Sequence, residues 1–264
     1  MDAKQYLTEF YNKIDEDKRL ENRAGSVEFL TTMRYIEKYL KQNDRILEIG
    51  AGTGRYSHTF AKQGYTVDAV ELIEHNIEIF KENSSPEEKI TITQGNAVDL
   101  SLFEDNAYDI TLILGPMYHL FTEEDKKKAL SEAIRVTKTG GLIFAAYCIS
   151  DSSILEHGFM RGYIFELIER GLLNTETFEA FSNPSDLFEL HRKEDIDKLM
   201  SDFSVTRLHY VSADGYSLHR GMNETISEMT DEMFALYLKY HFAVCERPDM
   251  VGLTNHALDV FRKN

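Results

Sequence analysis

Residues 46–57 read Ile46-Leu47-Glu48-Ile49-Gly50-Ala51-Gly52-Thr53-Gly54-Arg55-Tyr56-Ser57, and this stretch decides the fold. Arg45 to Ile49 is a short, mainly aliphatic run closed by three glycines in five positions, the pattern of a buried strand entering a tight turn. Glycines at the carboxyl end of a strand let backbone approach a ligand and tolerate positive φ. A helix predicted over Tyr56–Gln63, ending at Gly64, would present its free N–H groups to the same place. In open α/β sheets ligands bind outside the strand carboxyl ends, at the switch point of strand order. A dinucleotide fingerprint needs G-x-G-x-x-G, with the third glycine allowing close helix–strand packing. Here Arg55 stands at that third position and the glycine falls one residue early, at Gly54, so the dinucleotide pattern is broken.

Outward from this stretch, strands and helices alternate. Thr66–Val70 reads as a second strand with Glu71 at its end, Ile73–Asn83 as a helix, and Ile90–Thr93 as a third strand. Tyr108–Leu114 is a nearly continuous apolar run, the kind buried on both faces of a parallel sheet. Lys126–Thr137 reads as a helix closed by Gly140-Gly141, and Leu142–Tyr147 as a fifth strand. This alternation implies βαβ units with right-handed crossovers. Before it, Gln5–Leu40 is helical with a break near Glu21–Gly25. After Ser150 the alternation stops, and residues 151–201 look mostly helical and aromatic. Ser204–Val211 resumes as a strand, Thr230–Glu246 is a helix stopped by Pro248, and His256–Phe261 is a last strand. The expected organisation is an N-terminal helical cover (1–40), a cofactor-binding core (41–150), a helical cap insertion (151–201) and the remainder of the sheet core (202–264).

Composition narrows the function classes. The chain has 264 residues, 42% hydrophobic and 28% charged, the make-up of an ordinary globular protein. Its formal net charge of −16 disfavours nucleic acid, because phosphate contact needs a basic surface. Cys148 and Cys245 are too few and too far apart for a disulfide framework or a CxxC metal site. No apolar run reaches the roughly 18 residues of a membrane span, and Met1-Asp2-Ala3-Lys4-Gln5 leads into charged residues. The expectation is a cytoplasmic protein without a membrane partner; the sequence does not fix its oligomeric state.

G-x-G-x-G preceded by an acidic residue resembles motif I of the class I S-adenosylmethionine-dependent methyltransferases, and Glu48 to Gly54 matches that pattern at every diagnostic position. Further matches follow in the family's order. Val70-Glu71 stands at the acidic end of strand two, Gln94-Gly95-Asn96-Ala97 at the end of strand three, and Leu114-Gly115-Pro116 at the exit of strand four. The resemblance is strong over about residues 40–147 and topological only over 204–262. It implies a doubly wound α/β sheet of seven strands, order 3-2-1-4-5-7-6, mostly parallel with the last strand antiparallel. It also implies S-adenosyl-L-methionine as cofactor. Glu48, Gly50, Ala51, Gly52 and Gly54 would form the loop beneath it, with Glu48 orienting that loop. Glu71 would accept from both ribose hydroxyls, a charge-assisted pair, with Leu72 beside it. Asn96 and Ala97 would meet the adenine; the family usually has Asp where this chain has Asn96, so an acceptor remains but its charge is lost. Leu114 and Gly115 would contact the methionine end.

The transfer is an in-line displacement for which the protein contributes mostly positioning, so no obligatory catalytic signature exists. Tyr118 and His119 are the best local candidates for chemistry, His being the side chain poised to change protonation near neutral pH. On the N-terminal cover, Arg19 could pair with the methionine carboxylate and Tyr11 could cover the site. Tyr147, His157 and Arg161 are expected above strand five, near the substrate. Gly115-Pro116-Met117-Tyr118 lacks the Asp/Asn-Pro-Pro-Tyr of the family's amino-methylating nucleic-acid branch. Gly115-Pro116 also offers none of the acidic ligands of its metal-dependent catechol branch, and the histidines show no paired spacing, so no metal is expected. The expected activity is methyl transfer to a small molecule. The alternatives are a cofactor-binding regulator without turnover and a nicotinamide-dependent oxidoreductase.

Overall fold

A computed structural model describes residues 2–13 and 22–264. Two helices, α1 (Ala3–Tyr11) and α2 (Arg23–Glu37), precede the sheet. Asp2 caps α1 by accepting from the Gln5 N–H at 2.9 Å, and Asn22 caps α2 by accepting from the Gly25 N–H at 2.8 Å. The core then alternates through β1 (Arg45–Ile49), α3 (Arg55–Lys62), β2 (Thr66–Glu71), α4 (Glu74–Asn83), β3 (Ile90–Gln94), β4 (Tyr108–Ile113), α5 (Glu123–Val136) and β5 (Thr137–Ile149). Further on come α6 (Ser150–Ser153), α7 (Ile164–Glu169), β6 (Leu190–His191), α8 (Lys193–Met200) and β7 (Val205–Ser212). The chain closes through α9 (Met222–Glu228), α10 (Asp231–Val244), α11 (Pro248–Val251) and β8 (His256–Lys263).

The strand order is β3-β2-β1-β4-β5-β8-β7, with the two-residue β6 pairing to β5 off this path. β1 to β5 are parallel, and β8 runs antiparallel to both β5 and β7. This is the expected doubly wound order; β6 only shifts the numbering of the last two strands. Side chains alternate across the sheet as the strand period requires. Leu47, Ile49, Ile113, Ala145 and Tyr147 pack beneath α5 and α8, while Ile46, Ile110, Leu112, Phe144 and Val260 pack beneath α2 and α3.

Three elements depart from the sequence reading. Helix α5 begins at Glu123, where the Thr122 hydroxyl accepts from the Asp125 N–H at 3.0 Å, and passes directly into β5 at Thr137. Gly140-Gly141 therefore sits inside the strand, where the register against β4 shifts, and does not close the helix. Residues 151–201 are only partly helical. A π-helical turn over Ile154–Met160 follows α6, and most of the chain between α7 and α8 is irregular, with Phe178 and Leu187 at positive φ. Pro248 opens α11 at its first position, where its missing N–H costs nothing, so it starts a helix as well as following one.

Candidate functional site

A cavity of about 350 Å³ lies at the carboxyl ends of β1 to β4, within the size range of small-molecule sites. Its floor is the turn from β1 into α3. The Gly50 and Ala51 N–H groups both donate to the Val70 carbonyl, at 2.8 and 3.0 Å, which ties the turn to β2. Gly50 holds φ +72°, and a Cβ there would stand 2.7 Å from the Pro116 ring, so only glycine lets the β1 and β4 exits touch. Gly54 is not on the cavity wall. It caps α3 at φ +91°, and a Cβ would fall 2.5 Å from the Phe80 ring, so this third glycine serves the packing of α3 against α4.

Two buried glutamates brace this turn. One oxygen of Glu48 accepts from both the N–H (2.9 Å) and the hydroxyl of Ser57, fixing the first turn of α3. Burial pushes its pKa up to about 8 against those bonds. Glu71 accepts from the Gly52 N–H at 2.8 Å through one oxygen and from the Ile73 N–H at 2.9 Å through the other, with the Asn76 amide at 3.4 Å. Burial also raises the Glu71 pKa, opposed by those same donors. Leu72 lines the cavity beside it.

At the β3 end Asn96 is exposed and Ala97 buried, and both line the cavity. The Asn96 side-chain oxygen accepts from the Val98 N–H at 3.2 Å, shaping its own turn. Leu114 and Gly115 line the β4 exit. The one-turn helix Pro116–His119 then buries Tyr118 and Met117.

The first helix roofs the cavity through Leu7 and Tyr11. The Tyr11 hydroxyl lies 2.9 Å from His119 Nε2, and His119 Nδ1 lies 2.8 Å from the Leu187 carbonyl. A carbonyl can only accept, so Nδ1 carries the proton and Nε2 receives the Tyr11 hydroxyl hydrogen. Burial drives the His119 pKa down to about 4, so the ring is neutral. His119 is thus a clasp between the roof, the β4 exit and the loop at Leu187. Arg19 lies outside the described residues. Tyr147 is fully buried on the opposite face of the sheet, against Met200 and His191. His157 stacks on Tyr163 at 4.6 Å and Arg161 pairs with Glu156 at 2.9 Å, both away from the cavity. The expectation for these three fails because residue parity turns Tyr147 away and the π-helical turn carries the other two outward.

The sequence reading missed Arg55 and Glu28. Arg55 lines the cavity, lies 4.6 Å over the Phe29 ring, and its buried Nε has no hydrogen-bond partner among the described residues. The signal was visible, since Arg55 is the first residue of the helix after the glycines. Glu28 lines the opposite wall from α2, beside the buried Asp214 and the partly buried His256. Nothing local marked these three, which lie far apart in the chain. They are also a group of three potential metal ligands among the described residues. However, His256 Nδ1 is only 2.7 Å from Asp214 Oδ2, a proton-sharing distance, whereas two ligands of a tetrahedral zinc would stand about 3.3 Å apart. No helix among the described residues is long and apolar enough to cross a membrane.

Residues 46–141 match the family model of a methyltransferase domain. A demethylmenaquinone methyltransferase of Clavibacter sepedonicus is 31% identical over 100 residues, covering 38% of this chain and 39% of the relative. A ubiquinone biosynthesis O-methyltransferase of Hydrogenovibrio crunogenus is 27% identical over 169 residues, covering 63% and 66%. The match thus spans between 26% and 66% of the length of such curated relatives. Among solved structures, an S-adenosylmethionine-dependent methyltransferase of Methanosarcina mazei superposes with a TM-score of 0.56 at 17% identity, over 87% of this chain and 96% of that one, which shows the common fold. Residues 46–141 are thus a methyltransferase domain by their match to that family model, set in the fold shared with an S-adenosylmethionine-dependent methyltransferase.

Proposed function

We propose that the chain transfers a methyl group from S-adenosyl-L-methionine to a small molecule bound in the cavity at the carboxyl ends of β1 to β4. The observation that carries this reading is the buried carboxylate of Glu71, anchored by backbone at the switch point beside a glycine-lined floor. Its oxygens retain lone pairs beyond those used by Gly52 and Ile73, and a carboxylate can accept about four bonds. Ribose hydroxyls are the donors that would use them.

The residues fit the cofactor at both ends. The unpartnered Arg55 Nε, buried at the first turn of α3, suits the amino acid carboxylate, a role expected of Arg19. Leu72 and Ala97 provide apolar walls for adenine, with Asn96 at its edge. When bound, the cofactor supplies a methyl group already activated on a sulfonium with its own leaving group. What the chain supplies is placement and exclusion of water. Glu48 holds the loop, Gly50 lets β1 and β4 close on each other, and α1 roofs the site through the Tyr11–His119 clasp. Both ring nitrogens of His119 are engaged, so we assign it to closing the site, with Tyr118 as wall.

A small acceptor is supported by the roofed, partly acidic cavity, and the menaquinone and ubiquinone names of the relatives point the same way. Calorimetric titration with S-adenosylmethionine, S-adenosylhomocysteine and NAD tests the cofactor. Binding of the first two alone is expected. Binding of NAD alone, or of none, would overturn the reading.

A further inference from the structure

One residue beside the cavity roof holds a backbone conformation that its side chain resists. Leu187 has φ +70° and ψ −38°, and across it the Phe188 N–H donates to the Asp186 carbonyl at 2.9 Å. This is a γ-turn of positive φ, the rare and strained form. Three other non-glycine residues among those described have positive φ. Asn43 and Asn106 are of a type that tolerates it, and Phe178 bonds Asn174 and Arg192, neither of which lines the cavity.

Strain of this kind persists only where the surroundings hold it. On one side Asp186 is fixed by Arg170 and by the Asn183 N–H at 3.1 Å, two residues after Pro184, which lines the cavity. On the other side the Glu189 N–H donates to the Tyr118 carbonyl at 2.8 Å, and the Glu189 carboxylate accepts from Lys126 at 2.6 Å. Between these anchors the Leu187 carbonyl accepts from His119 Nδ1 at 2.8 Å. The Phe188 ring lies 5.9 Å from that of Phe10, 6.0 Å from Tyr118 and 5.3 Å from His119. The strained turn therefore joins the β4 exit to the roof helix α1. Leu7 is the one buried residue of α1, and a helix of nine residues does not hold by itself in water, so its order comes from contacts such as these. Relaxing Leu187 to negative φ turns its carbonyl from His119 and draws the Phe188 ring from Phe10.

We propose that Leu187 is a strained latch on the roof: when it relaxes, α1 lifts and ligands enter or leave the cavity, and when it reseats, the site closes. The identity of those ligands, cofactor and acceptor, rests on the methyltransferase reading above.

Two substitutions isolate the strain. Leu187→Ala removes the side chain beyond Cβ and keeps the cost of positive φ, whereas Leu187→Gly removes both. Glycine should seat the latch more firmly than alanine, by about three- to ten-fold in the ratio of closed to open once its greater freedom in the open form is set against the relief. The test is stopped-flow kinetics of S-adenosylhomocysteine binding to the full chain, with hydrogen exchange of the α1 amides in the ligand-free protein. Association and dissociation should both be slower in Leu187→Gly than in Leu187→Ala by that factor, with Kd within about two-fold, as a gate requires. The α1 amides should exchange more slowly by the same factor. Equal rates in either measurement, or faster ones in the glycine variant, would overturn the latch. A change in dissociation alone would overturn it too, because that marks an altered contact and not a gate. A wild-type chain that binds no S-adenosylhomocysteine would remove the methyltransferase reading, and the α1 amides, which need no ligand, would still decide the latch.

Discussion

Replacing Glu71 by alanine separates the cofactor role of this residue from its part in the fold. Its carboxylate accepts from Gly52 N–H and Ile73 N–H at 2.8 and 2.9 Å, yet burial dominates and raises its pKa. The site therefore disfavours the charge that it holds, as functional sites commonly do. Removing the carboxylate relieves that burial cost while it frees two backbone donors, each worth about 1–3 kcal/mol if left unsatisfied. The two terms oppose each other, so the melting temperature without ligand should move by only a few degrees. Binding has no such compensation. Two bonds from ribose hydroxyls to a charged acceptor contribute about 1.5–3 kcal/mol each, so their loss should weaken binding at least about 100-fold.

The assay is calorimetric titration with S-adenosylhomocysteine, paired with thermal unfolding of the same protein without ligand. The expected result is a large rise in Kd with a nearly unchanged melting temperature. An affinity within three-fold of wild type would refute the ribose assignment. A collapse of stability alongside the affinity would show that Glu71 acts mainly as a brace for the turn.

Three other substitutions probe the surrounding architecture. Gly54→Ala places a Cβ 2.5 Å from the Phe80 ring at φ +91°, so strain and overpacking together should cost about 2–5 kcal/mol, read as a lower denaturant midpoint. Tyr11→Phe leaves the partly buried His119 Nε2 without its donor and should loosen α1, weakening S-adenosylhomocysteine binding about three- to ten-fold and speeding proteolysis near Tyr11. Unchanged values of both would dismiss the clasp. The Glu48 pKa is raised in the folded chain to about 8, so its stabilising neutral form is fully present below its unfolded pKa and is lost as pH rises towards 8. Glu48→Gln should therefore leave the melting temperature nearly unchanged at pH 5 and raise it relative to wild type at pH 8. His119 has the opposite sign. Its pKa is depressed to about 4, so its contribution is present above its unfolded pKa and is lost as pH falls towards 4, and His119→Asn should flatten that acid limb.

What could be read in the sequence was whatever short spacing encodes. The Glu48–Gly54 turn, Glu71 after β2 and Leu114-Gly115 after β4 each sit at a strand exit, and a parallel sheet brings such exits together whatever the intervening helices are. Strand period likewise fixed the core, because alternating residues must face opposite layers. The same parity shows where the reading failed. Tyr147 was placed near the substrate because it ends a strand, but it shares the face of Ala145, whereas Ala146 and Cys148 turn towards Tyr118. Counting from the buried Phe144 beneath α2 would have given the correct side. Glu28, Asp214 and His256 were illegible for a different reason. They meet only when β8 returns antiparallel beside β5 and α2 folds back over the strand ends, and no local pattern encodes that closure. The one trace was a polar His256 on the inward register of a central strand, ahead of Leu258 and Val260. A buried polar residue needs partners. Here two carboxylates stand beside it, one of them on the cavity wall, so the residue that broke the apolar pattern of β8 leads to the cavity.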